Sequence, residues 1–345
     1  MAAAIRRIAV ITGDPTLPDP TKREFSYHEE DKLTHDAMKA AFRKLSAYEF
    51  SFFDDHKSLL ERLRLDPPDF IVNFCDTGYC NNPIHEPSLA AYYDLLGIPY
   101  TGAPPSAMVI VYDKAIVRLV AQSLGIAVPE EHYIPADMPF DQVPDLLPAL
   151  FKPNTADGSV GITKDAVVRS RAEARRYFEW LRDTLPGRDV LLQEYLPGAE
   201  YGVGLIGNPD SGFTVLPPLV VDYSRLPAGL NPILSFESKA MPDSPYWTDI
   251  EYRRADLAPE AVARLTDWTE RLYARLGLRD YGRFDFRAAA DGEIKLMEVN
   301  SNPAWANDAK LAMMAGFAGM EYHEMLNMIL DVAIARSKRE RGESH

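Results

Sequence analysis

One stretch restricts the fold more than any other: Tyr281-Gly-Arg-Phe-Asp-Phe-Arg-Ala-Ala-Ala-Asp-Gly-Glu-Ile-Lys-Leu-Met-Glu-Val-Asn300, two strand-like runs meeting at Asp291-Gly292. Asp-Gly between alternating runs is the strongest short-range hairpin signal. With those two residues as the loop, Ala290 faces Glu293, which sets Asp285 opposite Glu298 and Arg283 opposite Asn300. Strand side chains alternate between faces, so these four groups share one face. Phe284, Phe286, Met297 and Val299 share the other and belong to a core. Two opposed carboxylates repel unless a cation lies between them, and Asp, Glu and Asn oxygens are the hard ligands that magnesium prefers. The bland alternative is a solvated polar face. Against it, Ser301-Asn-Pro-Ala-Trp305 makes a turn that a plain surface hairpin would not require. A four-residue loop would uncouple Asp285 from Glu298, so the inference rests on the turn.

The remaining chain supplies strands alternating with helices. Arg7–Gly13 and Phe70–Phe74 read as apolar strands, Tyr27–Tyr48 and Leu89–Leu96 as helices, the second stopped at Gly97. That pattern predicts a parallel α/β unit over roughly the first 100 residues. Strands are expected at Leu146–Lys152, Val190–Tyr195, Tyr201–Ile206 and Thr214–Val221, and helices at Ala172–Leu181, Pro259–Leu276 and Glu321–Arg336. Tyr223–Tyr252 has the profile of a long ordered loop or lid, and Arg336–His345 that of a frayed polar tail. At 345 residues the chain holds two to three domains of about 150.

Charge and cysteine content narrow the function. A net charge of −14 lacks the basic footprint of a general nucleic-acid binder, so any polyanion must be held locally. Cys75 and Cys80 build no disulfide framework and lack the partners of a structural zinc site, so free thiols are expected. No apolar run approaches about 18 residues, and no signal peptide is evident, so a cytoplasmic protein without membrane association is expected. A local polyanion site is suggested by Lys152-Pro-Asn-Thr-Ala-Asp-Gly-Ser-Val-Gly161, whose glycines let backbone N–H groups approach an anion. Leu191–Glu200 runs from strand into turn, where backbone groups and Glu200 can meet a nucleobase and its ribose. Lysine, glycine-rich loop, hinge and acidic ligands, in that order, describe a nucleoside triphosphate site.

The chain at this point resembles the ATP-grasp enzymes, specifically the D-alanine:D-alanine ligase family, from about Arg23 to Ala333. The resemblance is densest at Pro99-Tyr-Thr-Gly102 with Asp113-Lys114, Phe151-Lys-Pro153 with Gly158-Ser-Val-Gly161, Gly282-Arg-Phe-Asp285 and Glu298-Val-Asn-Ser-Asn-Pro303. It implies an α/β chain with α+β elements in the ATP-grasp fold. An N-terminal parallel α/β domain (1–113) would be followed by two α+β subdomains (114–197 and 198–336) clamping ATP, then a polar tail (337–345). It also implies ATP, two magnesium ions with manganese as a substitute, peptide formation through an acyl phosphate, and a homodimer. By motif match Lys114 and Lys152 contact phosphates, and Gly158, Ser159 and Val160 form the lid loop. Gln193, Glu194, Tyr195 and Leu196, with Leu296, line the nucleotide, and Glu200 holds the ribose. Asp285, Glu298 and Asn300 hold the metals, Arg283 stabilises the transition state, Lys239 closes over the phosphates, and Glu24 binds a substrate amino group.

The substrate side departs from the family. Gly13-Asp-Pro-Thr-Leu-Pro-Asp-Pro intervenes in the first loop, Asp76 stands where a histidine is expected, the paired serines of the lid become Gly158-Ser159, and Ala240 replaces a tyrosine. Losing hydrogen-bond partners changes what a site accepts. The resulting expectation is an ADP-forming carboxylate-amine ligase acting on amino-acid-like molecules other than a pair of D-alanines. The alternatives are an authentic D-alanine:D-alanine ligase, a non-catalytic ATP-binding module, and a metallohydrolase, which the lack of a histidine-rich ligand set disfavours.

Overall fold

The computed structural model describes residues 5–156 and 158–342. Three sheets organise it. The strands Glu49–Phe53, Arg7–Ile11 and Phe70–Asn73 lie side by side and parallel, with Arg7–Ile11 in the centre. Ile8 to Ile11 and Phe70 to Asn73 are buried without alternation, the mark of a parallel sheet covered on both faces. A four-stranded antiparallel sheet follows in the order Glu131–Ile134, Val190–Glu194, Ala149–Pro153, Val167–Val168. The largest sheet, also antiparallel, runs Glu251–Arg254, Leu219–Asp222, Glu200–Asn208, Tyr281–Ala288, Ile294–Asn300, with Gly212–Val215 on the far end of Glu200–Asn208.

The hairpin reaches the expected pairing by a different route. Arg283 faces Asn300 and Asp285 faces Glu298, but beyond a bulge Phe286 faces Leu296 and Ala288 faces Ile294. The Ala289 amide donates to the Glu293 carbonyl at 2.8 Å, so the loop contains three residues, Ala290, Asp291 and Gly292, with Gly292 left-handed at φ 88°. One extra loop residue and one bulged residue, Met297, cancel. The cost of the shortcut is the face of two side chains: Leu296 is buried beside Phe284, Phe286 and Val299, and Met297 lines the central cavity instead of the core.

Other expectations shift for local reasons. The helix read over Tyr27–Tyr48 occupies Glu29–Arg43 and gives way to the strand Glu49–Phe53, which was missed together with the helix His56–Leu65. Thr214–Val221 is two strands, Gly212–Val215 and Leu219–Asp222, because Pro217-Pro218 cannot donate to a ladder. The Tyr223–Tyr252 region carries two short helices, Glu237–Ala240 and Pro245–Thr248. The tail does not fray at Arg336. The final helix runs Tyr322–Glu340, and Arg336 is buried against Asp280, with Nε–Oδ1 at 2.8 Å and Nη2 donating to the Tyr100 carbonyl at 2.8 Å. Residues 343–345 of the expected tail lie outside the described residues.

Candidate active site

A cavity of about 580 Å³ opens where the sheets converge. The helix Lys114–Ser123 begins at its wall because the Asp113 side chain caps it, accepting from the Ile116 amide at 2.9 Å, which fixes Lys114 in the first turn. Lys152 ends a fully buried strand. Gly158, Ser159 and Gly161 all have positive φ, and a Cβ at Gly161 would lie 2.7 Å from the Pro153 ring, so glycine is required there. The Ser159 hydroxyl donates to the Leu234 carbonyl at 2.9 Å and ties this loop to the segment carrying Lys239.

The hairpin face supplies the acids. Asp285, 7% exposed, receives a two-pronged grip from Arg283, with Nε–Oδ1 and Nη2–Oδ2 both at 3.0 Å. The Asn300 amide nitrogen lies 3.4 Å from Asp285 Oδ2, and Lys114 Nζ lies 3.2 Å from Glu298 Oε1. Lys310, which no motif indicated, stands 3.7 Å from Asp285 and 3.6 Å from Glu200. Glu200 also accepts from the Tyr223 hydroxyl at 2.7 Å and from Arg287 at 3.2 Å. Lys152 lies 3.9 Å from Glu131, both side chains nearly enclosed.

These surroundings set the ionisation. Burial alone would raise the Asp285 carboxyl, but Arg283 and Lys310 outweigh it and bring it down to about 2. Burial likewise opposes Glu298, and Lys114 and Lys152 still hold it below its ordinary value despite Asp285. Lys239, exposed but reaching the cavity, is lowered by desolvation there, against the attraction of Glu298. Burial also lowers Lys152, opposed by Glu131 and Glu298. Both hairpin acids therefore stay charged at neutral pH, and with the Asn300 side-chain oxygen they form a set of hard donors. Among the described residues no three His, Cys, Asp or Glu side chains group as metal ligands, so the amide is needed to complete the set.

Lys114, Lys152, Gly158, Ser159, Val160, Glu200, Lys239, Arg283, Asp285, Glu298 and Asn300 all line the cavity. The remaining expected site residues do not. Gln193, 2% exposed, donates to the Glu131 carboxylate, and with Leu296 it borders a separate recess of about 10 Å³, room for no more than one water. Glu194 pairs with Lys295 at 2.9 Å, while Tyr195 and Leu196 are buried, Arg287 lying 5.6 Å from the Tyr195 ring centre. Leu296 is displaced from the cavity by the bulge. Glu24 is exposed, in left-handed backbone at φ 52°, and stands off the cavity wall; Asp76, Lys22 and Glu86 occupy that end instead. Lys310, Arg287 and Glu131 were missed. Lys310 reaches the site because the chain folds back after Asn300; the turn at Ser301–Trp305 was legible in the sequence, but not which later side chain it would return to the cavity.

The polarity of the cavity is uneven. Around the hairpin, Lys114, Lys152, Lys239, Arg283, Arg287 and Lys310 outnumber Glu200, Asp285 and Glu298, whereas at the N-terminal end Glu30, Asp31, Asp76 and Glu86 outnumber Lys22 and Arg23. One end suits a polyphosphate. Two antiparallel sheets flanking a cationic, acid-bearing cavity define an ATP-grasp ligase. The D-alanine–D-alanine ligase from Bacillus anthracis solved with ATP has this fold, with a TM-score of 0.70 at 20% identity over 97% of this chain and 99% of that one. A D-Ala:D-Ser ligase from Enterococcus faecalis matches at TM-score 0.69 and 18% identity, over 96% and 100%. The family model "D-ala D-ala ligase C-terminus" matches residues 141–331, more than half the chain. The chain belongs to the D-alanine–D-alanine ligase family. Among relatives, D-alanine–D-alanine ligase B of Chromobacterium violaceum is 28% identical over 282 residues, 81% of this chain and 85% of that protein. A putative D-alanine–D-lactate ligase of Streptomyces coelicolor is 26% identical over 250 residues, 71% and 68%. No helix among the described residues is long and apolar enough to cross a membrane.

Proposed function

We propose that the chain is an ADP-forming carboxylate-amine ligase that joins amino-acid-like substrates other than a pair of D-alanines through an acyl phosphate. The observation that carries this reading is the shared face of Arg283, Asp285, Glu298 and Asn300, set against Lys114, Lys152 and Lys239. The excess of cations at this end matches the charge of a triphosphate, and the lid loop presents its backbone from positive-φ positions. Asp285, Glu298 and the Asn300 oxygen would hold magnesium, which when bound supplies positive charge against the phosphoryl group in transfer. Arg283 is already locked by Asp285, so its guanidinium can face developing negative charge without reorganising. Glu200 is the acid for the ribose, and residues 114–197 and 198–336 act as the two halves of the nucleotide clamp.

The departures at the first loop, Asp76, Gly158-Ser159 and Ala240 support substrates different from two D-alanines. Mass spectrometry of products from a mixed amino-acid pool, with ADP release measured in parallel, tests both parts. A new amide from unlike substrates is expected. D-alanyl-D-alanine as the sole product overturns the substrate assignment, and ATP binding with no ADP release under any amino acid favours a binding module.

A further inference from the structure

The acid that the resemblance assigns to the substrate's amine, Glu24, is off the cavity wall, and the N-terminal end of the cavity offers a different one. Asp76 lies three residues past the strand Phe70–Asn73, at the carboxyl end of the parallel sheet, where ligands of open α/β sheets bind. Its loop is held in shape. Gly78 has φ 76°, and a Cβ there would meet the Asn82 carbonyl at 2.0 Å. Asn81 accepts from the Asp14 amide at 2.9 Å and returns a bond to the Asp14 carbonyl at 2.7 Å. Trp305 stacks on Phe74 at 5.6 Å and donates to its carbonyl at 2.8 Å.

The other acids at this end are engaged. Asp31 pairs with Lys22 at 2.5 Å, Glu30 with Arg23 at 3.4 Å, and Glu86 receives the Asn302 amide at 2.8 Å. Half-buried Asp76 has no ion-pair partner within 4.0 Å among the described residues. Nearby Asp19 is fully buried, with Oδ2 lacking a hydrogen-bond partner, and its charge adds to that on Asp76. A half-buried carboxylate that makes no ion pair, with Lys22, whose charge reaches it, committed to Asp31, and with a second buried acid, Asp19, beside it, calls for a cation.

We propose that Asp76 receives the ammonium group of the carboxylate-donating substrate, an assignment that rests on the ligase reading above. A molecule anchored there by its amine extends its carboxylate toward Lys114, Lys152 and Arg283. The donor is therefore an amino acid, and acids lacking the amine are discriminated against by roughly 10- to 150-fold, the span of one hydrogen bond to a charged group.

The full chain is titrated with D-alanine, L-alanine, D-serine and D-lysine, and with propionate and D-lactate as acids without the amine. Two readouts are taken: ADP release with ATP and magnesium, and the shift in thermal midpoint without ATP. Amino acids respond and the amine-free acids do not. Asp76→Asn raises KM for the best amino acid by roughly 10- to 150-fold while KM for ATP stays within about two-fold, and Asp76→Glu recovers part of the loss. Glu24→Gln leaves both constants unchanged. An Asp76→Asn protein that matches wild type in both readouts overturns the proposal. Amino acids that stabilise wild type but not Asp76→Asn, without ADP formation, overturn the ligase reading and leave Asp76 standing. No response of wild type to any of the six compounds overturns both.

Discussion

The two ends of the central cavity were written into the sequence in different ways. At the hairpin end, the residues proposed to carry function lie on regular strands, whose period-two alternation places Arg283, Asp285, Glu298 and Asn300 together as soon as one pairing is known. At the N-terminal end the proposed residues lie on loops, Gly13–Phe25 and Cys75–Asn82, whose side-chain directions depend on bonds such as that from Asn81 to Asp14 across 67 positions. Regular elements convert spacing into geometry, and loops do not.

Substitutions at each end should sharpen or break this contrast. The largest effect is expected at the acids: Asp285→Asn and Glu298→Gln each lower kcat by at least about 10² to 10³, the usual loss for a preorganised stabilising group. Chemical denaturation separates the two. Asp285→Asn strands buried Arg283 and Lys310 and loses about 3 to 5 kcal/mol of stability, whereas Glu298, with its side chain 35% exposed, loses far less. Wild-type turnover in either variant would break the hairpin assignment.

Leu296 and Met297 test the bulge. Leu296→Ala should cost about 2 to 5 kcal/mol in urea unfolding with KM for ATP unchanged, and Met297→Ala should reverse the pattern. A cost confined to Met297 would place the register elsewhere.

The two ends also respond to pH in opposite senses. Asp285, brought to about 2 in the folded protein from 3.8, contributes stability above pH 3.8 that is lost as pH falls toward 2. Asp76 is pushed up to about 6 by burial, opposed by Lys22 and reinforced by Asp19, with the Trp305 indole N–H lowering it. Its stabilising contribution is present below 3.8 and disappears as pH rises through about 6. KM for the amino acid should rise below about pH 6 and do so less in Asp76→Asn, measured as a pH series of initial rates. The smallest effect is at Glu24→Ala, whose exposed side chain should leave kcat/KM within about two-fold.

Much of the fold was legible because strands and helices announce themselves locally. Pro259–Leu276 has the observed bounds, and the helix expected to stop at Gly97 does so, with Gly97 in left-handed backbone. What escaped depended on distant partners. Glu49–Phe53 is short and follows a helix without a strong stop, and Arg336 looked like a surface charge because its partner Asp280 lies 56 residues away. At the site, Asp285 and Glu298 were paired correctly through two compensating irregularities, but the same reasoning put Met297 in the core, and the motif match put Leu296 beside the nucleotide. The nucleotide strand Gln193–Leu196 reads as a motif, yet its side chains face Glu131, Lys295 and the interior.

The bulge at Met297 uncouples the tip of the hairpin from its base. Pairings of Arg283 through Asp285 with Gly204 through Gly202 fix the base from the neighbouring strand, independently of how the chain reverses at residues 290–292. Arg283 and Asp285 thus keep their positions however the reversal is built, which makes it the natural place to attach a reporter that leaves this half of the charged face in place.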